Sequence, residues 1–212
     1  MKKLILGLAV TASSLAFAQQ TPSSSSNPVT FGVKGGMNVS SLSKDSGLDD
    51  QKSKIGFNAG VFANIPIAES FSIQPEVLYS QYGDKYDTKI GNNTYSYANH
   101  FDYLTVPVMV QYNLIPNLYV EAGPEFGFLL SAKSKSKNET TNNVLTESGN
   151  YKDNFSTFNL GLGLGAGYYF TPNFGITARY VAGLTDIGKN RPSGSDAVRN
   201  NVFQVGLAYK FK

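Results

Sequence analysis

Residues 158–170 read Phe158-Asn159-Leu160-Gly161-Leu162-Gly163-Leu164-Gly165-Ala166-Gly167-Tyr168-Tyr169-Phe170. Leu160, Leu162, Leu164, Ala166, Tyr168 and Phe170 share one parity, while Asn159, Gly161, Gly163, Gly165 and Gly167 share the other. A repeat of two is the period of an extended strand, whose side chains alternate between its faces. One face here is apolar and the other is almost bare. Inside a narrow barrel such bareness has a use, because large inward side chains from opposite walls would collide. The glycines also imitate a dinucleotide-binding fingerprint. That motif needs a helix opening at its glycines, and here the strand period runs on into Tyr168 and Phe170.

The same alternation recurs through the chain. Ile55, Phe57, Ala59, Val61 and Ile65 oppose Gly56, Asn58, Gly60 and Asn64, and Leu104, Val106, Val108, Val110 and Tyr112 oppose Thr105, Met109 and Gln111. Phe174, Ile176, Ala178 and Tyr180 oppose Gly175, Thr177 and Arg179; Phe203, Val205, Leu207, Tyr209 and Phe211 oppose Gln204, Gly206, Ala208 and Lys210. With less regular segments near 30–41, 71–82 and 118–131, this predicts eight strands of about 9–14 residues. A tilted membrane strand needs about 9–11. Short connections at Pro66–Ser70, Ile115–Asn117 and Thr171–Asn173 alternate with long polar ones near 42–54, 83–100, 132–154 and 185–200. Short turns at one end and long loops at the other are the pattern of a bacterial outer-membrane barrel.

The N-terminus carries an export signal by its pattern. Lys2 and Lys3 precede an apolar run, Leu4 to Val10, and Ala16-Phe17-Ala18 supplies small residues for cleavage. Residues 1–18 are therefore expected to be a signal peptide, followed by a flexible Ser/Pro-rich lead at 19–29 and a barrel at 30–212. The formal charge of +3 loses two lysines and no acids with the leader, leaving +1. That is too small to suggest nucleic acid as a partner. The absence of Cys excludes disulfides, thiolate metal sites and a lipoprotein anchor.

Which face meets lipid is decided by aromatics and charges. Phe71, Tyr112, Phe170, Phe174, Tyr209 and Phe211 lie near the short turns, and Phe57, Tyr79, Phe126, Phe158, Tyr180 and Phe203 near the long loops. Two belts of this kind are the interfacial girdles of membrane barrels. The opposite face carries Lys34, Arg179 and Lys210 against Glu76, Glu121 and Glu125. Equal numbers of each sign suit an enclosed interior, where an unpaired charge is costly. An ion network of these six is expected to fill the lumen, which in eight-stranded barrels is just wide enough for side chains. A small gated channel, with the pairs re-partnering, is the alternative.

Several segments resemble the PorT-like outer-membrane β-barrel domain family: Phe71-Ser-Ile-Gln-Pro-Glu-Val-Leu-Tyr79, Tyr103-Leu-Thr-Val-Pro-Val108, Tyr119-Val-Glu-Ala-Gly-Pro124, Phe31-Gly-Val-Lys-Gly-Gly-Met-Asn38 and Ala208-Tyr-Lys-Phe211. The resemblance runs through the mature chain in order and implies an eight-stranded outer-membrane barrel. It implies no single activity; some relatives are linked to protein secretion and most are simply small barrels. One departure is Lys212 after Phe211, where such barrels usually end on an aromatic. Pro75, Pro107 and Pro124 fall inside these segments and are expected to mark bulges or bends, since each removes a ladder donor.

Candidate chemistry is sparse. His100 is the single histidine, with Asp102 two residues on and on the same face of a strand, but no nucleophile is marked. Asp45, Asp49 and Asp50 lack calcium-loop spacing, because Gly56 stands where a bidentate acid should be. Lys133, Lys135 and Lys137 begin the third loop and could meet anionic lipopolysaccharide phosphates. The expectation is an all-β, eight-stranded, antiparallel up-and-down transmembrane barrel, monomeric, with both termini on the periplasmic side. It is expected to be non-enzymatic and without cofactor or metal, in contact with the outer-membrane bilayer, lipopolysaccharide or other outer-membrane proteins. A porin-like transporter is the second reading and a lipid-modifying enzyme at the rim is the third.

Overall fold

The alternating segments pair into strands whose apolar edges all turn the same way. The computed structural model describes residues 28–43, 51–141, 143–147, 149, 152–189 and 196–211. The expected signal peptide, most of the lead and Asp45, Asp49 and Asp50 lie outside the described residues. The strands are β1 (Thr30–Leu42), β2 (Gln51–Pro66), β3 (Phe71–Ile90), β4 (Asn93–Ile115), β5 (Leu118–Asn138), β6 (Asn143–Glu147), β7 (Phe158–Tyr169), β8 (Phe174–Gly183) and β9 (Asn200–Lys210). All pairings are antiparallel. The order β4-β3-β2-β1-β9-β8-β7-β5, closed by β4 on β5, makes an eight-stave barrel. Short β6 pairs only with the far end of β5.

The apolar parity faces outward. Leu162 is 54% exposed, Leu164 67% and Phe203 46%, whereas Arg179 on the other parity is 1% exposed. On β3 the outward residues run Phe71, Ile73, Pro75, Val77 and Tyr79 before turning polar at Gln81; on β4 they run from Tyr112 to Leu104 before Asp102 and His100. Nine residues of apolar wall in each strand match the 9–11 that a tilted strand needs to cross hydrocarbon.

Beyond that band the sequence expectation fails in an informative way. The segment 83–100 is not a loop: β3 and β4 stay paired from Asp84 with Asn99 to Ile90 with Asn93. Tyr86 and Tyr97 stack across the hairpin with ring centroids 4.9 Å apart. The turn is Gly91-Asn92, with Gly91 at φ 59°, a left-handed backbone that glycine enters without steric cost. β5 likewise runs on to Asn138, so three adjacent staves stand well above the expected band.

The prolines do not mark the bulges that were one of their two expected readings. Pro75 pairs with Val108, and the β3–β4 register resumes unchanged at Leu78 with Thr105. Pro107 pairs with Glu125, and the β4–β5 register resumes unchanged at Val110 with Ala122. Pro124 sits opposite Leu162 in an unbroken β5–β7 ladder. A bulge would advance one strand by a residue; none of these does. The missing donors interrupt pairing locally and leave the register intact. Register does slip elsewhere, between Ser53 and Asn58 on β2 and between Asp102 and Tyr103 on β4.

Candidate functional site: the barrel lumen and the outer wall

Inward residues of β5 read Tyr119, Glu121, Glu125 and Leu129 from the short-turn end upward, and they sample each layer of the lumen. The first layer is aromatic: Phe62, Tyr119 and Tyr169 cluster with Ala208. Their rings need bare wall. A Cβ on Gly167 would come within 2.4 Å of the Tyr119 ring, and one on Gly32 within 2.3 Å of the Phe62 ring.

The second layer is ionic. Arg179 donates from Nε to Glu121 at 2.7 Å, and from Nη1 and Nη2 to the two oxygens of Glu76 at 2.9 and 2.7 Å. Lys34 Nζ reaches Glu76 at 3.3 Å. Gln74 donates to Glu76 at 2.9 Å and Gln111 to Glu121 at 3.0 Å. Asn64 donates to both amide oxygens, at 3.3 and 2.9 Å, which ties the cluster to the short-turn mouth. A buried carboxylate is tolerated when its lone pairs are filled by cations and amides, and this cluster supplies both.

The third layer closes the long-loop end: Tyr82, Phe101, Tyr103, Leu129, Ala132, Val181 and Val202, with Leu42 and Phe155 packed against them. Phe155, from the loop before β7, meets Phe101 edge-on at 4.8 Å.

Of the six ions expected in one network, the structure brings together Lys34, Glu76, Glu121 and Arg179. Glu125 stands apart, accepting a 2.7 Å hydrogen bond from Tyr82 while its other oxygen has no hydrogen-bond partner among the described residues. Lys210 stands apart from the cluster, at the short-turn mouth. It lies at the last residue of β9, lining a mouth cavity of about 250 Å³, with its ammonium 4.0 Å above the Tyr169 ring. Parity assigns a residue's face but not its height, which is why Lys210 was expected one layer too deep. Parity puts Asn64 and Gln111 on the same face as the ions without marking them as their partners, and Gln74 and the aromatic lining share that parity but were not singled out.

The second region is on the outer wall. Gln81, His100, Asp102, Lys133, Ser134 and Lys135 line a cavity of about 260 Å³. His100 lies opposite Lys133, and Ala98 lies between Lys85 and Lys135. Asp102 accepts from Gln81 at 3.3 Å. Burial, with the ammonium groups of Lys54, Lys85 and Lys135, holds the His100 imidazole below its usual pKa; Asp102 opposes them. Lys137 differs from the other two expected headgroup lysines, being paired with Glu139 at 3.2 Å. Among the described residues no group of three or more His, Cys, Asp or Glu side chains could hold a metal.

Closed topology, an apolar exterior and an ionic interior define an outer-membrane β-barrel. The sequence matches the outer membrane protein beta-barrel domain over residues 17–189, and the chain belongs to that family. Its place is the bacterial outer membrane. Among solved structures it is similar to Ail, the attachment invasion locus protein of Yersinia pestis, at 16% identity over 87% of this chain and 100% of that one, with a TM-score of 0.50. Neisserial surface protein A is similar at 16% identity over the same shares, with a TM-score of 0.47. The outer membrane protease OmpT of Escherichia coli, 9% identical over 91% of this chain and 100% of that one, scores 0.44. At these identities the first likeness speaks to fold alone, and the other two bear no argument. A search of curated protein sequences finds no match.

Proposed function

We propose that this protein is a non-enzymatic, monomeric barrel with a plugged lumen, which presents its tall β3–β4–β5 wall and long loops outside the cell. The observation that carries this reading is the layering of the lumen. An ionic cluster lies below a larger apolar layer at the long-loop end, and at the short-turn end the lumen is filled by aromatic rings and by the hydrogen-bonded Asn64, Ser72, Gln74 and Gln111, so an ion that entered would still meet packed apolar side chains before it could cross. The ion cluster is then a brace rather than a conduction path. Kinship with PorT-like barrels belongs to this reading and is supported by the family-like segments. So does the placing of the short turns and chain ends in the periplasm, supported by the meeting of both ends, where Phe211 donates its amide to Phe31.

Planar-bilayer conductance tests the plug. No steady conductance is expected for the wild type, and Glu121→Gln should lower the unfolding midpoint without opening a current. Steady single-channel steps from the wild type would support the porin-like reading instead. A rim enzyme built on His100 has less support, because Asp102 accepts from Gln81 and, among the described residues, no hydrogen bond joins it to His100. Hydrolysis of lipid that disappears in His100→Ala would establish it.

A further inference from the structure

We propose that His100, Lys133 and Lys135, with Lys85 beside them, form a binding site on the outer wall for a terminal monoester phosphate on the headgroup of a surrounding lipid. The proposal rests on the reading that the apolar wall is embedded in a bilayer with its long-loop end outward.

Height is the first argument. Outward apolar residues end at Tyr79 on β3, Leu104 on β4 and Leu130 on β5, and the cavity begins directly above them at Gln81 and Asp102. His100 and Lys133 come next, then Lys85 and Lys135, two further residues up. At about 3.3 Å per residue along a tilted strand, these groups sit at headgroup depth.

Shape and charge are the second. Register sets Ala98, a small residue, between the two long cationic side chains of Lys85 and Lys135. Nearby lysines have partners: Lys52 pairs with Asp87 at 2.6 Å and Lys137 with Glu139 at 3.2 Å. Among the described residues no ion pair neutralises Lys85, Lys133 or Lys135. The acid lining the cavity, Asp102, is bonded to Gln81 and lies at its lower edge. Two ammonium groups without an ion pair, Lys133 and Lys135, and an imidazole line this concave surface with Lys85 beside it, and together they match a phosphate, which accepts from several donors at once.

The charged groups around His100 are Lys54 on β2, Lys85 on β3, Asp102 on its own strand, and Lys133 and Lys135 on β5. Burial first, and then the cations, hold its pKa down; a bound phosphate offsets the cations and raises it, so binding tightens as pH falls.

The single histidine makes the test direct. The full protein is placed in nanodiscs of phosphatidylcholine alone, or with one-fifth phosphatidylglycerol or phosphatidic acid, and the His100 imidazole is titrated by NMR. Any anionic lipid raises the local proton concentration, so phosphatidylglycerol serves as the reference. Phosphatidic acid should raise the His100 pKa by about one unit more than phosphatidylglycerol does. In Lys133→Gln/Lys135→Gln that difference should vanish while the folded-barrel gel mobility is kept. Equal shifts from both lipids, or an undiminished difference in the double variant, overturn the proposal. Inorganic phosphate reproducing the shift in phosphatidylcholine discs overturns the lipid as occupant. Failure of the protein to remain in the discs overturns the bilayer placement, and the site with it.

Discussion

Arg179 and Glu76 face each other across the barrel. Arg179 is on β8 and Glu76 on β3, four staves apart in a ring of eight, yet two hydrogen bonds of 2.9 and 2.7 Å join them. Glu121 and Lys34 reach the same centre from staves on either side of that line. The pair is a strut across the lumen. It works because Gly163 and Gly165 leave the β7 wall bare beside it, where Cβ atoms would meet Met109 and Glu121 at 2.5 and 3.0 Å.

Removing the strut's cation leaves two enclosed carboxylates with Lys34, 3.3 Å from Glu76, as their remaining cation. Arg179→Leu should destabilise the barrel by about 3–5 kcal/mol. Urea titration in detergent micelles, read by the heat-modifiable shift in gel mobility, measures it. A change under about 1 kcal/mol would mean that the cluster is not a brace.

Glu125 gives the opposite expectation. Its carboxylate is buried, receives one hydrogen bond from Tyr82 and, among the described residues, is not within ion-pair distance of a cation. Glu125→Gln keeps an acceptor for the tyrosine and removes a desolvated charge, so the same titration should show unchanged or higher stability. Glu76→Gln, which breaks a pair, should lose stability. Equal losses from the two variants would contradict the division of the lumen into separate sites.

The bare wall can be tested at Gly167. A methyl there overlaps the Tyr119 ring, so Gly167→Ala should cost about 1–3 kcal/mol. Tyr119→Leu in the same chain should recover part of that loss, as coupled neighbours do. Purely additive losses would mean that the glycine serves the backbone alone.

Much of this was legible in period two. Parity located the lipid face and put Lys34, Glu76, Glu121 and Arg179 on the enclosed one, because a strand has only two faces. It could not order residues by height, which misplaced Lys210. It also drew apolar residues toward lipid as a class, so the inward Phe62 and Tyr169 went unnoticed. The tall hairpin was missed because 83–100 is polar. Polarity there reflects distance from the bilayer rather than loss of strand structure, and Gly91-Asn92 was the available turn signal. The wall cavity joins three strands through register, which no local pattern reveals.

The sidedness of the wall is open to one direct measurement. The chain has no Trp, so Leu164→Trp and Tyr119→Trp each place a single fluorophore, on the outward and inward faces. In vesicles of lipid brominated along the acyl chain, the tryptophan at 164 should be strongly quenched and the one at 119 should not. Quenching at 119 with none at 164 would contradict a barrel that turns its apolar face to lipid.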